Sequence, residues 1–484
     1  MPNSKSNKPA VTKAKVASKK KVAKKPVAKK APAAPVIAPV EAVVETVTKK
    51  KVAKKPVAKK APVEEVISWV TQNKEELFNE SDTFCVLPWI HLHTTPTGQA
   101  GPCCISTSCA DNIGVGNSNR DSLEELVNSP KMKKLRVDML SGVKNPECGN
   151  CHRHDEQGVP SARADFNHTW KKLPNIMDIV KDTEKDGAVK NFKMKYFDIR
   201  FSNICNFKCR TCGSEFSSQW GAEMRENHDP KHPILIHADD NKGTLLEEVI
   251  EHIDEIELCY FAGGEPLITE EHYLMLEEFI RRGKTPVLRY NTNASSIKYK
   301  KRDILELWKH FPKIELSCSV DHFGDRAEWL RKGTDWGVVE NNLLMFRDLE
   351  QVEFSMNTVF SLFNYPMIGE FYQYLKDKNI VRADDWYNSL YLAVHPSYYS
   401  AKSLPKELKI VAAENAMKFA NKFEGDKTSL SRLITDAINF ANESDTWADN
   451  KAIMLQHTAS IDKIRDEDFW KIFPELNKLK DLEL

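Results

Sequence analysis

From about residue 190 the chain alternates two hydrophobic rhythms. Six short runs, KYFDIRFSN, IELCYFAGG, VLRYNTN, IELSCSVD, EFSMNTVFSL and SLYLAVH, read as β-strands. Between them lie LLEEVIEHI, EEHYLMLEEFIRR, VVENNLLMFRDLE and IGEFYQYLKDK, whose apolar residues recur at helical spacing. Such βα alternation predicts an α/β fold over about residues 190–400, a largely parallel sheet with helices outside it. A first unit, about residues 67–170, precedes it. There TFCVLPWIHLHTTPTG alternates like a strand and SLEELVNSPKMKKLRVDML reads as one helix, with Asp121 or Ser122 as N-cap and Glu125 in its first turn. Residues 401–484 read as helices with polar faces and carry no motif attached to chemistry.

The first 66 residues obey neither rhythm. KKKVAKKPVAKKAP occurs at Lys19–Pro32 and again at Lys49–Pro62, in a stretch without aromatics. Such a Lys/Ala/Pro alphabet cannot bury enough surface to offset its ordering entropy, so the tail is expected to be disordered. The formal net charge of +1 hides a division: residues 1–62 carry 18 lysines against Glu41 and Glu45, about +16, leaving about -15 on the remainder. Two readings stand: an electrostatic arm for nucleic acid or another polyanion, and a solubilising spacer. The charged start is not followed by an apolar run, so no secretory signal is expected, and the 11 cysteines are expected to be reduced in a cytoplasm. No apolar stretch approaches a membrane span.

The strongest chemical signal is Cys205, Cys209 and Cys212, a C-x3-C-x2-C triplet where the first βα strand leaves the sheet. Ligands gather at the carboxyl edge of such sheets. Three thiolates on one loop suit a 4Fe-4S cluster and leave its fourth iron without a protein ligand. A structural zinc knuckle would want a further Cys or His close by, and this loop has no histidine.

With this triplet, the segment Gly263-Gly264-Glu265-Pro266 after the second strand resembles the radical SAM superfamily. The resemblance implies a partial (β/α)6 TIM-like barrel, with the cluster on the first strand's loop and the GGEP backbone holding the methionyl amino group of S-adenosylmethionine (SAM). It further implies SAM contacts from Asn293 in YNTNAS, from Ser319 and Asp321 in SVD, and from Arg331, the expected partner of the SAM carboxylate. Two positions depart from the family pattern. Thr211 replaces an aromatic residue before the last cysteine, which moves adenine packing toward Phe207, and His322 stands where glycine commonly follows.

Upstream, Cys85, Gly98 and Cys103 precede the C-x2-C pair Cys148 and Cys151. This pattern resembles the SPASM/Twitch auxiliary module, a small cysteine-rich α+β unit holding a further iron-sulfur cluster. Its position ahead of the barrel resembles N-terminal Twitch radical SAM proteins, a group often found in phage genomes. Zinc is the competing metal, with His152 or His154 as substitute ligands. Cys104 and Cys109 read as bystanders, Cys259 and Cys318 as buried small hydrophobes, and the alternating His91 and His93 as structural or solvent-facing, with a pocket facing the barrel as the other reading.

The resemblance implies one-electron reduction of SAM at the Cys205/Cys209/Cys212 cluster to a 5'-deoxyadenosyl radical that takes hydrogen from a substrate, with a peptide or protein as the leading class. Flavodoxin or ferredoxin would supply the electron, and the location would be cytoplasmic, the host's if the protein is phage-encoded. The alternative is a non-enzymatic, metal-stabilised nucleic-acid-binding protein using the lysine tail; GGEP and the βα series weigh against it.

Overall fold

Alternating burial marks several of the longer strands. In Val287–Thr292 the side chains of Leu288, Tyr290 and Thr292 are buried, and Tyr290 Oη meets His272 Nε2 at 2.9 Å and Trp308 Nε1 at 3.2 Å on flanking helices. The opposite face is polar: Arg289 donates to Glu315 (2.6 Å) and Asn291 to the Tyr260 hydroxyl (2.8 Å). Period-two burial thus puts apolar residues under the helices and polar ones on the sheet's inner face.

The computed structural model describes residues 74–107, 114–158, 160–381, 389–423 and 430–480; the lysine-rich tail and Cys109 lie outside them. Thirteen strands occur among these residues: β1 (His91–Thr94), β2 (Gln99–Gly101), β3 (Gly116–Asn117), β4 (Tyr196–Ile199), β5 (Lys208–Cys209), β6 (Leu258–Phe261), β7 (Val287–Thr292), β8 (Lys298–Tyr299), β9 (Arg302–Asp303), β10 (Ile314–Ser319), β11 (Arg331–Lys332), β12 (Val352–Phe360) and β13 (Ser389–Leu392). Nine form one sheet in the order β13-β12-β10-β7-β6-β4-β1-β2-β3. The six expected βα strands are β4, β6, β7, β10, β12 and β13, all parallel and side by side in chain order. β1 extends this series, pairing parallel to β4 with His93 opposite Asp198. β2 and β3 then turn back antiparallel. The first unit and the βα series therefore share a sheet, which the sequence did not suggest.

Two expectations in the first unit are corrected. Only His91–Thr94 of the alternating segment is strand; Leu87–Ile90 is a helical turn with Pro88 near its start and all four side chains buried. Proline supplies the helical φ and lacks the N–H that a ladder needs. The long helix is two, Leu123–Val127 and Pro130–Leu140. Ser122 caps the first in a reciprocal capping box with Glu125, as expected, and Ser129 caps the second ahead of Pro130. The buried Arg136 locks the unit by donating to the carbonyls of Pro88, Gly187 and Val127.

Helices Lys406–Ala420, Leu430–Asn442 and Trp447–Arg465 follow β13. Among the described residues no helix is long and apolar enough to cross a membrane.

Candidate active site

The chain leaves β4 into the cysteine loop, which is fastened from within. Asn203, fully buried, donates to the carbonyls of Ser214 (2.8 Å) and Ile234 (3.0 Å) and accepts from Ile236 N–H (2.9 Å). The Ser218 hydroxyl accepts from Cys205 N–H and donates to the Cys205 carbonyl, while Trp220 Nε1 donates to the Cys209 carbonyl at 2.7 Å. β5 pairs antiparallel with β11, placing Cys209 opposite Arg331.

Burial pushes all three thiols up, Cys209 to about 12, and each is raised further by a neighbouring cysteine or acid or lowered by Arg331. Left bare they stay protonated, so metal binding must release protons. Two donors already point at sulfur: Phe207 N–H at Cys205 Sγ (3.4 Å) and Arg331 Nη1 at Cys209 Sγ (3.9 Å).

The Gly263–Pro266 turn crosses this loop. Glu265 N–H donates to the Ile204 carbonyl at 2.7 Å, and a Cβ on Gly264 would stand 2.0 Å from that carbonyl oxygen. Gly263 has φ +123° and lies against the Arg200 side chain. The glycines are thus required by the contact between two loops, a reason additional to ligand approach. Glu265 is buried and accepts from Leu267 N–H (3.0 Å), Thr292 Oγ1 (2.7 Å) and Asn293 N–H (2.6 Å). Burial raises its carboxyl to about 7, against the pull of those three donors.

The remaining sequence-picked residues meet at the same edge. Asn293 donates to Asn206 of the cysteine loop at 2.9 Å. Arg331 and Asp321 pair with each other through two bonds of 2.8 and 2.9 Å, and Asp321 also accepts from Val359 N–H. Ser319, at the end of β10, is half-buried opposite Asn357.

The second cysteine set also converges. Cys85 precedes the Leu87–Ile90 turn, Cys103 follows β2, Cys148 closes the Pro146–Cys148 turn and Cys151 lies in helix Gly149–Glu156. Burial pushes Cys85 up to about 12 and raises the other three; Cys103 feels Cys85 and Cys148, and Cys148 feels Cys85 and Cys151. Gly98 makes the β1–β2 turn at φ +80°. Among the described residues, no three His, Cys, Asp or Glu side chains are already grouped so that they could hold a metal ion. His152 is buried with no hydrogen-bond partner for Nδ1 among the described residues, and His154 lies further along the same helix.

Residues 85–152 match the family model of SPASM, an iron-sulfur cluster-binding domain, and residues 199–375 that of the radical SAM superfamily. The chain is a radical SAM protein with a SPASM domain ahead of its barrel. Its cofactors are accordingly 4Fe-4S clusters and SAM. No curated protein matches the sequence. Similar solved structures include native anSMEcpe with bound AdoMet and Cp18Cys peptide (19% identity, 47% of this chain and 60% of that one, TM-score 0.32). Native anSMEcpe with bound AdoMet gives 20% identity, 47% and 61% coverage and a TM-score of 0.33. The match spans about 60% of the length of those chains.

Two features of this radical SAM protein escaped the sequence. His93 Nδ1 meets Asp198 Oδ2 at 2.9 Å across the β1–β4 ladder, and Asp198 in turn faces Arg200 Nε at 3.5 Å, a buried line from the SPASM hairpin to the Gly263 turn. Burial pushes the Asp198 carboxyl up, and His93 and Arg200 outweigh it, holding the group below the usual range. The visible signal was FDIRF, two charges on one face of a strand. The second feature is the set of C-terminal acids described below.

Proposed function

We propose that this protein is a radical SAM enzyme acting on a peptide or protein side chain. Cys205, Cys209 and Cys212 would hold a 4Fe-4S cluster, which would supply the electron for reductive cleavage of SAM and so the means of hydrogen abstraction from the substrate. The reading is carried by one observation: the cysteine loop, the Gly263–Pro266 turn, the β7 tip and Arg331 are bonded to one another at the carboxyl edge of the sheet. The donor set suits both groups, with three thiols on one loop, two N–H donors aimed at sulfur, and a glycine turn beside them.

In this scheme the chain's own work is positional. Glu265 fixes the strand tips so that the Gly263–Gly264 backbone is presented beside the thiols. Asp321 holds Arg331 against Cys209 and leaves the remainder of that guanidinium to meet an anionic group of SAM. Cys85, Cys103, Cys148 and Cys151 are the proposed ligands of an auxiliary iron-sulfur cluster, whose service to a peptide substrate is binding or electron acceptance. A flavodoxin or ferredoxin is the proposed reductant.

Anaerobic reconstitution of the full chain with iron, sulfide and reductant tests the scheme. Production of 5'-deoxyadenosine from SAM is expected; neither product nor SAM binding under any reductant would refute it.

A further inference from the structure

The cysteine loop carries cations between its thiols, Lys208 and Arg210, and alternation along the extended Lys208–Cys209 stretch sends them away from the side of Cys209. Lys208 is half-buried and Arg210 does not reach solvent. Arg210 has a fully buried side chain whose guanidinium carbon lies 3.5 Å from the centre of the Trp329 ring. Its Nη2 donates to Asp462 Oδ1 and Glu467 Oε2, 2.5 Å each. Both acids come from the long helix Trp447–Arg465 near the C-terminal end of the described residues and the turn after it, about 250 positions away along the chain. Asp462 is itself fixed by Trp329 Nε1 (3.1 Å) and Phe469 N–H (2.7 Å), and Glu467 also takes Lys332 of β11 at 3.0 Å.

The same helix makes a second attachment. Arg465, fully buried, forks onto Glu223 with bonds of 2.9 and 3.1 Å, and Glu223 is also bonded by Lys208. Arg465 lies over Trp220, the residue that donates to the Cys209 carbonyl. Lys208, Arg210, Lys332 and Arg465 thus meet Glu223, Asp462 and Glu467 directly behind the thiols.

A buried guanidinium costs several kcal/mol unless paired. The loop can therefore keep Arg210 inside only when Asp462 and Glu467 are docked. We infer that Arg210 is a positioning residue of the cysteine loop, and that the C-terminal helix is the clamp that both fixes the loop and balances the charge behind it. This rests on the reading of Cys205, Cys209 and Cys212 as cluster ligands, but one arm of the test does not depend on it.

Glu467→Gln and Asp462→Asn each remove one anion while keeping size. Glu475→Gln, which breaks an ion pair to Arg326 elsewhere in the C-terminal region, is the control. In the metal-free full chain, amide exchange over residues 206–213 is expected to rise roughly tenfold in either variant, through loss of a charged hydrogen bond, and to stay unchanged in Glu475→Gln. After reconstitution, the cluster potential is expected to shift positive, because a cation is left uncompensated beside it. Exchange at wild-type rates in that loop, or acceleration spread evenly over all amides, would overturn the inference. If Asp462→Asn does not fold, Glu467→Gln decides alone. A wild-type chain that takes no iron at this loop would sink the cluster reading instead, with the exchange result still deciding the clamp.

Discussion

Glu265 joins the tips of β6 and β7 with a single carboxylate, at the cost of burying it. Because its folded value, about 7, lies above the ordinary 4.5, the folded protein holds this proton more tightly than the unfolded chain. Its contribution is full below about pH 4.5 and is lost as pH rises through about 7, on the order of 3 kcal/mol in all. Glu265→Gln should therefore flatten this part of the pH dependence of the melting temperature relative to wild type. Asp321 acts through its partner: Asp321→Asn leaves the half-buried Arg331 without its counter-charge and should lower the urea midpoint, with weaker SAM binding. For the auxiliary set, a Cys148→Ala, Cys151→Ala variant should lose the iron and sulfide of one cluster; unchanged content would remove that assignment. The cysteines stood out by their spacing, and the glycines, Asn293 and Arg331 by the family resemblance; the structure brings them to one edge of the sheet. Asp462 and Glu467 were not, since acids on a polar helix look like solvated surface until their partners are known.

At the scale of elements, the six βα strands were readable because short β-like runs alternate with helix-spaced segments, and β7, β10 and β12 also show period-two burial. The errors fell where a short-range rule competed with a longer pattern. At Pro130 the local stop overrode a continuous apolar period, and at Pro88 a helical turn replaced a strand although hydrophobic residues continued through it. The crossing of the GGEP turn over the cysteine loop is the tightest junction in the site. Gly264→Ala puts a Cβ onto the Ile204 carbonyl, which is backbone and cannot swing aside. SAM affinity should fall at least roughly tenfold, since a strained turn misplaces both loops, while far-ultraviolet circular dichroism stays near wild type.

For the molecule as a whole, the shared sheet makes the SPASM hairpin part of the barrel's foundation. Without β1, β4 would present an unpaired edge and the buried Asp198 would lose its partner His93. A fragment beginning at Lys190 should therefore aggregate on size-exclusion chromatography, whereas removal of residues 1–62 should leave the fold's melting temperature within a degree or two and abolish salt-dependent retention on DNA. If DNA retention is identical, the tail is a spacer.

The strand order also has a consequence for biosynthesis. From β1 through β4, β6, β7, β10 and β12 to β13, spatial order equals chain order, so as the polypeptide leaves the ribosome each new strand finds its partner already made. Arg210, like Glu223, departs from this order: it emerges early, and its counter-ions lie about 250 positions further along the chain. The thiol loop is therefore completed only after Asp462 and Glu467 have been made, and on the proposed cluster assignment iron loading at that site is expected to follow them.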